Sequence, residues 1–99
     1  MYTLLIADDE PLIRNGVKKI IDWESLGFSE IFLAEDGQEA LDIFEQSGEQ
    51  EIDLILMDIM MPVMGGREAA RRIRTLERPD AETVRIYAIT ALGFFRKCT

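Results

Sequence analysis

No histidine occurs in the 99 residues, and the single cysteine is Cys98. Catalysis by Ser-His-Asp or Cys-His sets within this chain is thereby excluded, as are any His-ligated metal and any internal disulfide. Basic side chains are scarce: 11 Lys and Arg stand against 19 Asp and Glu, a net charge of −8. Such a chain repels phosphate backbones and anionic lipid, so neither nucleic acid nor a membrane surface is an expected partner of this domain. Long apolar runs are missing too. The longest stretch free of charge, Ile86 to Phe95, is ten residues, and a bilayer needs about 20. Met1-Tyr2-Thr3 leads into an apolar run with no basic n-region or cleavage site, so no signal peptide is expected and the cytoplasm is the expected location.

What is present is the composition of one ordinary globular domain, 47% apolar and 30% charged, with no internal repeat or linker across residues 1–99. The charge is divided along the chain. Residues 1–62 carry 3 basic and 15 acidic side chains, whereas residues 63–99 carry 8 basic and 4 acidic. Two solvated faces of opposite sign would produce this split. So would a convergence of the early acids on one cation-binding site.

Hydrophobic patterning alternates between two kinds. Thr3-Leu4-Leu5-Ile6-Ala7, Ile31-Phe32-Leu33-Ala34, Leu54-Ile55-Leu56-Met57 and Ile86-Tyr87-Ala88-Ile89 are short continuous apolar runs, which predict strands buried on both faces. Between them lie helical stripes. Pro11 suits the first turn of a helix whose expected face is Ile13, Val17, Ile20 and Ile21. Asp36 with Glu39 reads as a capping box ahead of Ala40, Leu41 and Phe44, with Gly48 as the stop. Ala69, Ala70, Ile73 and Leu76 line a third helix closed by Arg78-Pro79. Trp23, Leu26 and Phe28 read as a loop packed from beneath. The order β-α-β-α-β-α-β with continuous strands predicts an α/β fold, a doubly wound parallel sheet, as one domain over residues 1–99. The tail from residue 92 to 99 shows no complete helical or strand pattern.

Ligands in such sheets bind beyond the carboxyl ends of the strands. Here those ends carry Asp8-Asp9, Asp58 and Thr90. If strands one, three and four are neighbours, three carboxylates and a hydroxyl share one crevice. Mutually repelling carboxylates call for a hard divalent cation, and Mg²⁺ suits a site leaving room for water and phosphate. A carboxylate beside it can act as a nucleophile toward phosphorus. Each residue alone has a blander reading, as acids at a helix N-terminus, a strand-end turn residue or a β-former. Met57, Met60, Met61 and Met64 read as core and loop filling, and Arg67, Arg71, Arg72, Arg74 and Arg78 as a solvated helix face. Cys98 has no identifiable activating neighbour.

Asp8-Asp9-Glu10-Pro11, then Leu56-Met57-Asp58-Ile59-Met60-Met61-Pro62-Val63-Met64, then Ala88-Ile89-Thr90-Ala91 resemble the receiver domain of two-component response regulators, over about residues 2–91. The resemblance implies a flavodoxin-like receiver fold. It implies that Asp58 accepts a phosphoryl group from a sensor histidine kinase or phosphotransfer protein. Asp8, Asp9 and Asp58 would hold Mg²⁺ with the backbone carbonyl of Met60, and Thr90 would be the switch hydroxyl. It implies no enzyme beyond self-phosphorylation and self-dephosphorylation. The opening through Asp22-Trp23-Glu24-Ser25-Leu26-Gly27-Phe28 is similar to receivers of regulators with AraC-type DNA-binding domains. The stretch from Asp53 to Ala91 is more similar to receivers fused to hybrid histidine kinases. The match is incomplete. A fifth strand ending in a phosphoryl-contacting lysine is not found by residue 99, Lys97 follows Thr90 too closely for that role, and Gly65 stands where an aspartate is usual. Strand four is therefore expected to be an open edge, and a homodimer covering the bare apolar surface is expected. A module that keeps the fold but signals without phosphorylation is the alternative. An aspartate-nucleophile phosphohydrolase would show Asp-x-Asp, and Met60 stands two after Asp58.

Overall fold

The computed structural model describes residues 1–47 and 51–89, together with the backbone of 95–97. The four apolar runs form strands β1 (Tyr2–Ala7), β2 (Phe28–Ala34), β3 (Leu54–Asp58) and β4 (Arg85–Ile89). Helices α1 (Pro11–Ile20), α2 (Gly37–Gln46) and α3 (Gly66–Arg74) lie between them, with a single turn, α4 (Asp80–Thr83), ahead of β4. The sheet order is β2-β1-β3-β4-β5, and the first four strands are parallel. This is the doubly wound α/β arrangement that the runs predicted.

Both faces of the sheet are apolar because each strand sends side chains alternately to two cores. Leu5, Ala7, Ile55, Met57 and Ile86 face α2 and α3, where Ala40, Leu41, Phe44, Ala69, Ala70 and Ile73 meet them. Leu4, Ile6, Leu56 and Ile89 face the other way, toward Trp23, Val17 and Ile21. Trp23 is locked in place by an indole N–H donated to the Val17 carbonyl at 3.1 Å and by an edge-on contact with Phe28. Asp36 caps α2 as expected, its carboxylate accepting the Glu39 N–H at 2.8 Å. Ser47 follows the last turn of α2, and Gly48, the expected stop, lies outside the described residues.

Four expectations need correction. Strand β4 is not an open edge, because Phe95–Lys97 form a three-residue strand, β5, antiparallel to it, pairing Tyr87 with Lys97 and Ile89 with Phe95. Unpaired edge N–H and C=O groups accept a neighbouring backbone whatever its side-chain pattern. Val17 of α1 and Ile21 just after it pack on the core, but Ile20 is 85% exposed and no residue of the helix is fully buried. Leu26 is also exposed. The arginines do not form one solvated face. Arg67, Arg71 and Arg72 are exposed, whereas Arg74 donates to the Ala81 and Val84 carbonyls and Arg78 is drawn into an ion pair with Asp80.

Over Leu54, Leu56, Trp23 and Tyr87 the α1 side of the sheet carries an apolar hollow of about 210 Å³. A second hollow adjoins it at Leu54 and Tyr87 and extends to Tyr2, Leu26 and Phe28. Among the described residues no helix is long and apolar enough to cross a membrane.

Candidate functional site

The parallel register between β1 and β3 sets Ala7 opposite Met57. The next residue on each strand, Asp8 and Asp58, therefore leaves the sheet at the same carboxyl edge. Asp9 follows Asp8 directly. One carboxylate oxygen from each of Asp8, Asp9 and Asp58 lies within 4.8 Å of the others. These three line a cleft of about 350 Å³ with Glu10, Ile13, Met60 and Ile89.

The three acids are not equivalent. Asp8 is buried, Asp58 half-buried and Asp9 exposed. Burial pushes the Asp8 carboxyl above its ordinary value. The Glu10 N–H, donated to Asp8 Oδ1 at 2.9 Å, pulls it back, while the charges of Asp58, Asp9 and Glu10 push it further up. Asp58 accepts the Met60 N–H at 3.3 Å, an arrangement that fixes the acceptor carboxylate against its own loop. Arg14 reaches in from α1, but its guanidinium donates to the Asp8 backbone carbonyl at 2.7 Å. No ion pair to any of the three carboxylates is found among the described residues.

Three like charges without a basic partner are the donor set of a hard divalent cation, and the oxygen ligands and open cleft fit Mg²⁺. Met60 lines the same cleft and is 82% exposed, so the core and loop filling expected of the methionines does not extend to it. Met57 and Met64 are buried as expected. Thr90 lies outside the described residues, as does Cys98. Arg14 was missed by sequence reasoning. Its signal is only its place one turn into α1, and its partner is a main-chain oxygen that no motif displays.

The loop from Asp58 to α3 passes very close to its own start. Gly66 donates its N–H to the Ile59 carbonyl at 2.9 Å, and a Cβ at Gly66 would stand 2.3 Å from the Asp58 carbonyl oxygen. Glycine is required there by contact with backbone that cannot swing aside.

Compared with known proteins, residues 4–94 match the model of the response regulator receiver domain. This chain belongs to the receiver family. The receiver is 34% identical over 95 residues to the transcriptional regulatory protein YesN of Bacillus subtilis, covering 96% of this chain and 24% of YesN. It is 38% identical over 77 residues to the transcriptional regulatory protein HptR of Staphylococcus aureus, covering 78% of this chain and 29% of HptR. The receiver thus spans about a quarter of the curated relatives it matches. Among solved structures it is similar to the receiver domain of AraT from Geobacillus stearothermophilus, with a TM-score of 0.77 at 31% identity, covering 90% of this chain and 64% of that one. It is also similar to the receiver domain of the sensor histidine kinase PA1611 from Pseudomonas aeruginosa, with a TM-score of 0.72 at 32% identity over 91% of this chain and 67% of that one. That structure has magnesium coordinated in its active-site cleft. The two neighbours come from a response regulator and from a sensor histidine kinase.

Proposed function

We propose that this receiver takes a phosphoryl group onto Asp58 from the phosphohistidine of a sensor kinase or phosphotransfer protein, in the cytoplasm, in a Mg²⁺-dependent step. An Asp58 carboxylate oxygen forms the new P–O bond as the N–P bond of the donor breaks. The product is an aspartyl phosphate, and the imidazole leaves with the electron pair. Asp8, Asp9, Asp58 and the Met60 carbonyl are the residues to hold Mg²⁺. When bound, the ion offsets the negative charge that the phosphoryl oxygens bring to an already acidic cleft. Thr90 follows β4 directly and is the hydroxyl assigned to the phosphoryl oxygens. The role of the domain is regulatory, with its chemistry confined to its own phosphorylation and dephosphorylation.

The observation that carries this reading is the convergence of three carboxylate oxygens within 4.8 Å at the strand ends, with no ion pair to any of the three among the described residues. Incubation with acetyl phosphate and Mg²⁺, followed by intact mass measurement, tests it. The expected result is one phosphoryl adduct, lost with EDTA and absent in Asp58→Asn. A folded, Mg²⁺-binding sample that takes no adduct refutes it and supports the second reading, a receiver that signals by protein contact alone. One feature favours that second reading. Among the described residues the cleft lining contains no lysine or arginine to meet a phosphoryl group.

A homodimer belongs to the same proposal. With the β4 edge occupied by β5, the surface it would cover is the apolar hollow at Leu54, Leu56, Trp23 and Tyr87.

A further inference from the structure

Among the described residues Val63 is the one non-glycine residue with a positive φ, at 66°. The Met64 N–H is donated to the Pro62 carbonyl at 2.7 Å, two residues back, so Val63 is the centre of a three-residue turn of the rare, strained, positive-φ kind. A β-branched side chain is poorly suited to this region. Val63 is 83% exposed, so burial of its own side chain does not offset the strain. Such a conformation persists only where the surroundings over-determine it.

The surroundings that do so are visible. Met64 is anchored by its buried side chain and by its carbonyl, which accepts the Gly37 N–H at 2.9 Å. Gly37 is the first residue of α2. A Cβ at Gly37 would lie 2.2 Å from the Met64 oxygen and 3.1 Å from the Ala69 Cβ, so the approach is possible only for glycine. The Gly66 N–H bond to the Ile59 carbonyl closes the base of the loop. The loop that carries Met60 is thus pinned at its base by Gly66 and at its far side by α2.

We infer that Gly37 is a positioning residue for the cation site, holding the strained Val63 turn through Met64 and with it the loop that sets Met60 along the cleft lined by Asp8 and Asp58. The inference rests on the Mg²⁺ reading above. It makes the entry of α2 and the acidic cleft one mechanical unit, so a displacement of α2 alters the site without touching a carboxylate.

Two substitutions perturb the unit in opposite senses. Gly37→Ala forces Met64 and α2 apart by about 1 Å to restore ordinary contact distance. Val63→Asn places at φ 66° a residue that accepts that conformation far better than valine. Mg²⁺ titration followed by calorimetry or amide chemical shifts reads the site, and the melting temperature of the metal-free protein reads the fold. Gly37→Ala is expected to weaken Mg²⁺ binding at least fivefold. Val63→Asn is expected to raise the metal-free melting temperature by about 4 °C or more. Adding Val63→Asn to Gly37→Ala is expected to restore at least half of the lost affinity on a logarithmic scale, because a relaxed turn can follow the displaced Met64. Asp36→Ala is the milder variant should Gly37→Ala fail to fold. It removes the α2 cap from Glu39 N–H and is expected to weaken Mg²⁺ at least twofold in a folded protein. Unchanged Mg²⁺ affinity in folded Gly37→Ala or Asp36→Ala overturns the inference, as does a double variant that recovers nothing. Wild-type protein that binds no Mg²⁺ overturns the cation reading itself, a different result.

Discussion

Arg78 holds the C-terminal end of α2 to the segment between α3 and β4, and its removal gives a calculable loss. Its Nε and a terminal nitrogen grip the two Asp80 oxygens at 2.6 and 2.7 Å. The other terminal nitrogen donates to the Phe44 carbonyl at 2.7 Å, and the guanidinium stands 4.6 Å from the centre of the Phe44 ring. The side chains are 20% and 8% exposed. Arg78→Ala leaves the Asp80 carboxylate nearly buried and unpaired, a loss of about 3 kcal/mol, at the low end for broken buried pairs because Arg78 keeps some solvent. The Phe44 carbonyl still has the Ser47 hydroxyl at 2.6 Å, so it adds little. Asp80→Ala should cost less, about 1–2 kcal/mol, since a freed guanidinium can reach water. The double variant should recover about 1–2 kcal/mol of the summed single losses, the signature of a direct pair. Arg78→Lys should lose much of what alanine loses, because a point charge cannot reproduce the fork or the stacking. Urea denaturation followed by circular dichroism gives all four values by linear extrapolation. Against a total stability of about 5–15 kcal/mol the effect is unmistakable. Strict additivity of the two single variants, or a loss below about 1 kcal/mol for Arg78→Ala, would refute the reasoning.

The remaining predictions concern the acidic cleft and the apolar hollow. The folded-state pKa of Asp8 is raised from an ordinary 3.8, so its ionisation opposes folding. That penalty is absent below the unfolded value and accumulates as pH rises through the raised folded one. In EDTA, Asp8→Asn should therefore gain stability over wild type on going from pH 4 to pH 7, while its Mg²⁺ affinity falls; a stability difference that does not change with pH contradicts the sign. Light scattering at high concentration checks the homodimer. A monomer there, or a dimer unchanged by Tyr87→Ser at the half-buried rim of the hollow, removes it from consideration as the contact.

The strands that position the site were legible because parallel strands are buried on both faces and read as unbroken apolar runs. Asp8 and Asp58 were found by the same signal, each being the polar residue that ends such a run. The α2 cap was legible as Asp36 before a helical stripe, and the structure supplies its bond to Glu39. Elements too short to carry a hydrophobic pattern were not legible. Strand β5 has three residues and no apolar alternation, and α4 is a single turn. Ile20 misled because helical spacing says which side chains share a face but not whether anything covers it. Arg74 and Arg78 misled for a related reason. An arginine that satisfies carbonyls has the same sequence signature as one that faces water.

The strand order also bears on how the chain comes together. The first strand in sequence, β1, is an interior strand, flanked by β2 and β3. Its Leu4 is partnered by Leu54 of β3, and the Thr3 N–H is donated to the Asp53 carboxylate fifty residues away. Among β1 to β4 no hairpin can form early, because parallel strands need a crossover between them. Loop closure over that span comes before the contacts that reward it, which places this fold among the slower topologies for its length. Until β3 arrives, Leu4, Leu5 and Ile6 remain an uncovered apolar strand. The segment that ends as the most protected part of the molecule is therefore its chief aggregation hazard during synthesis.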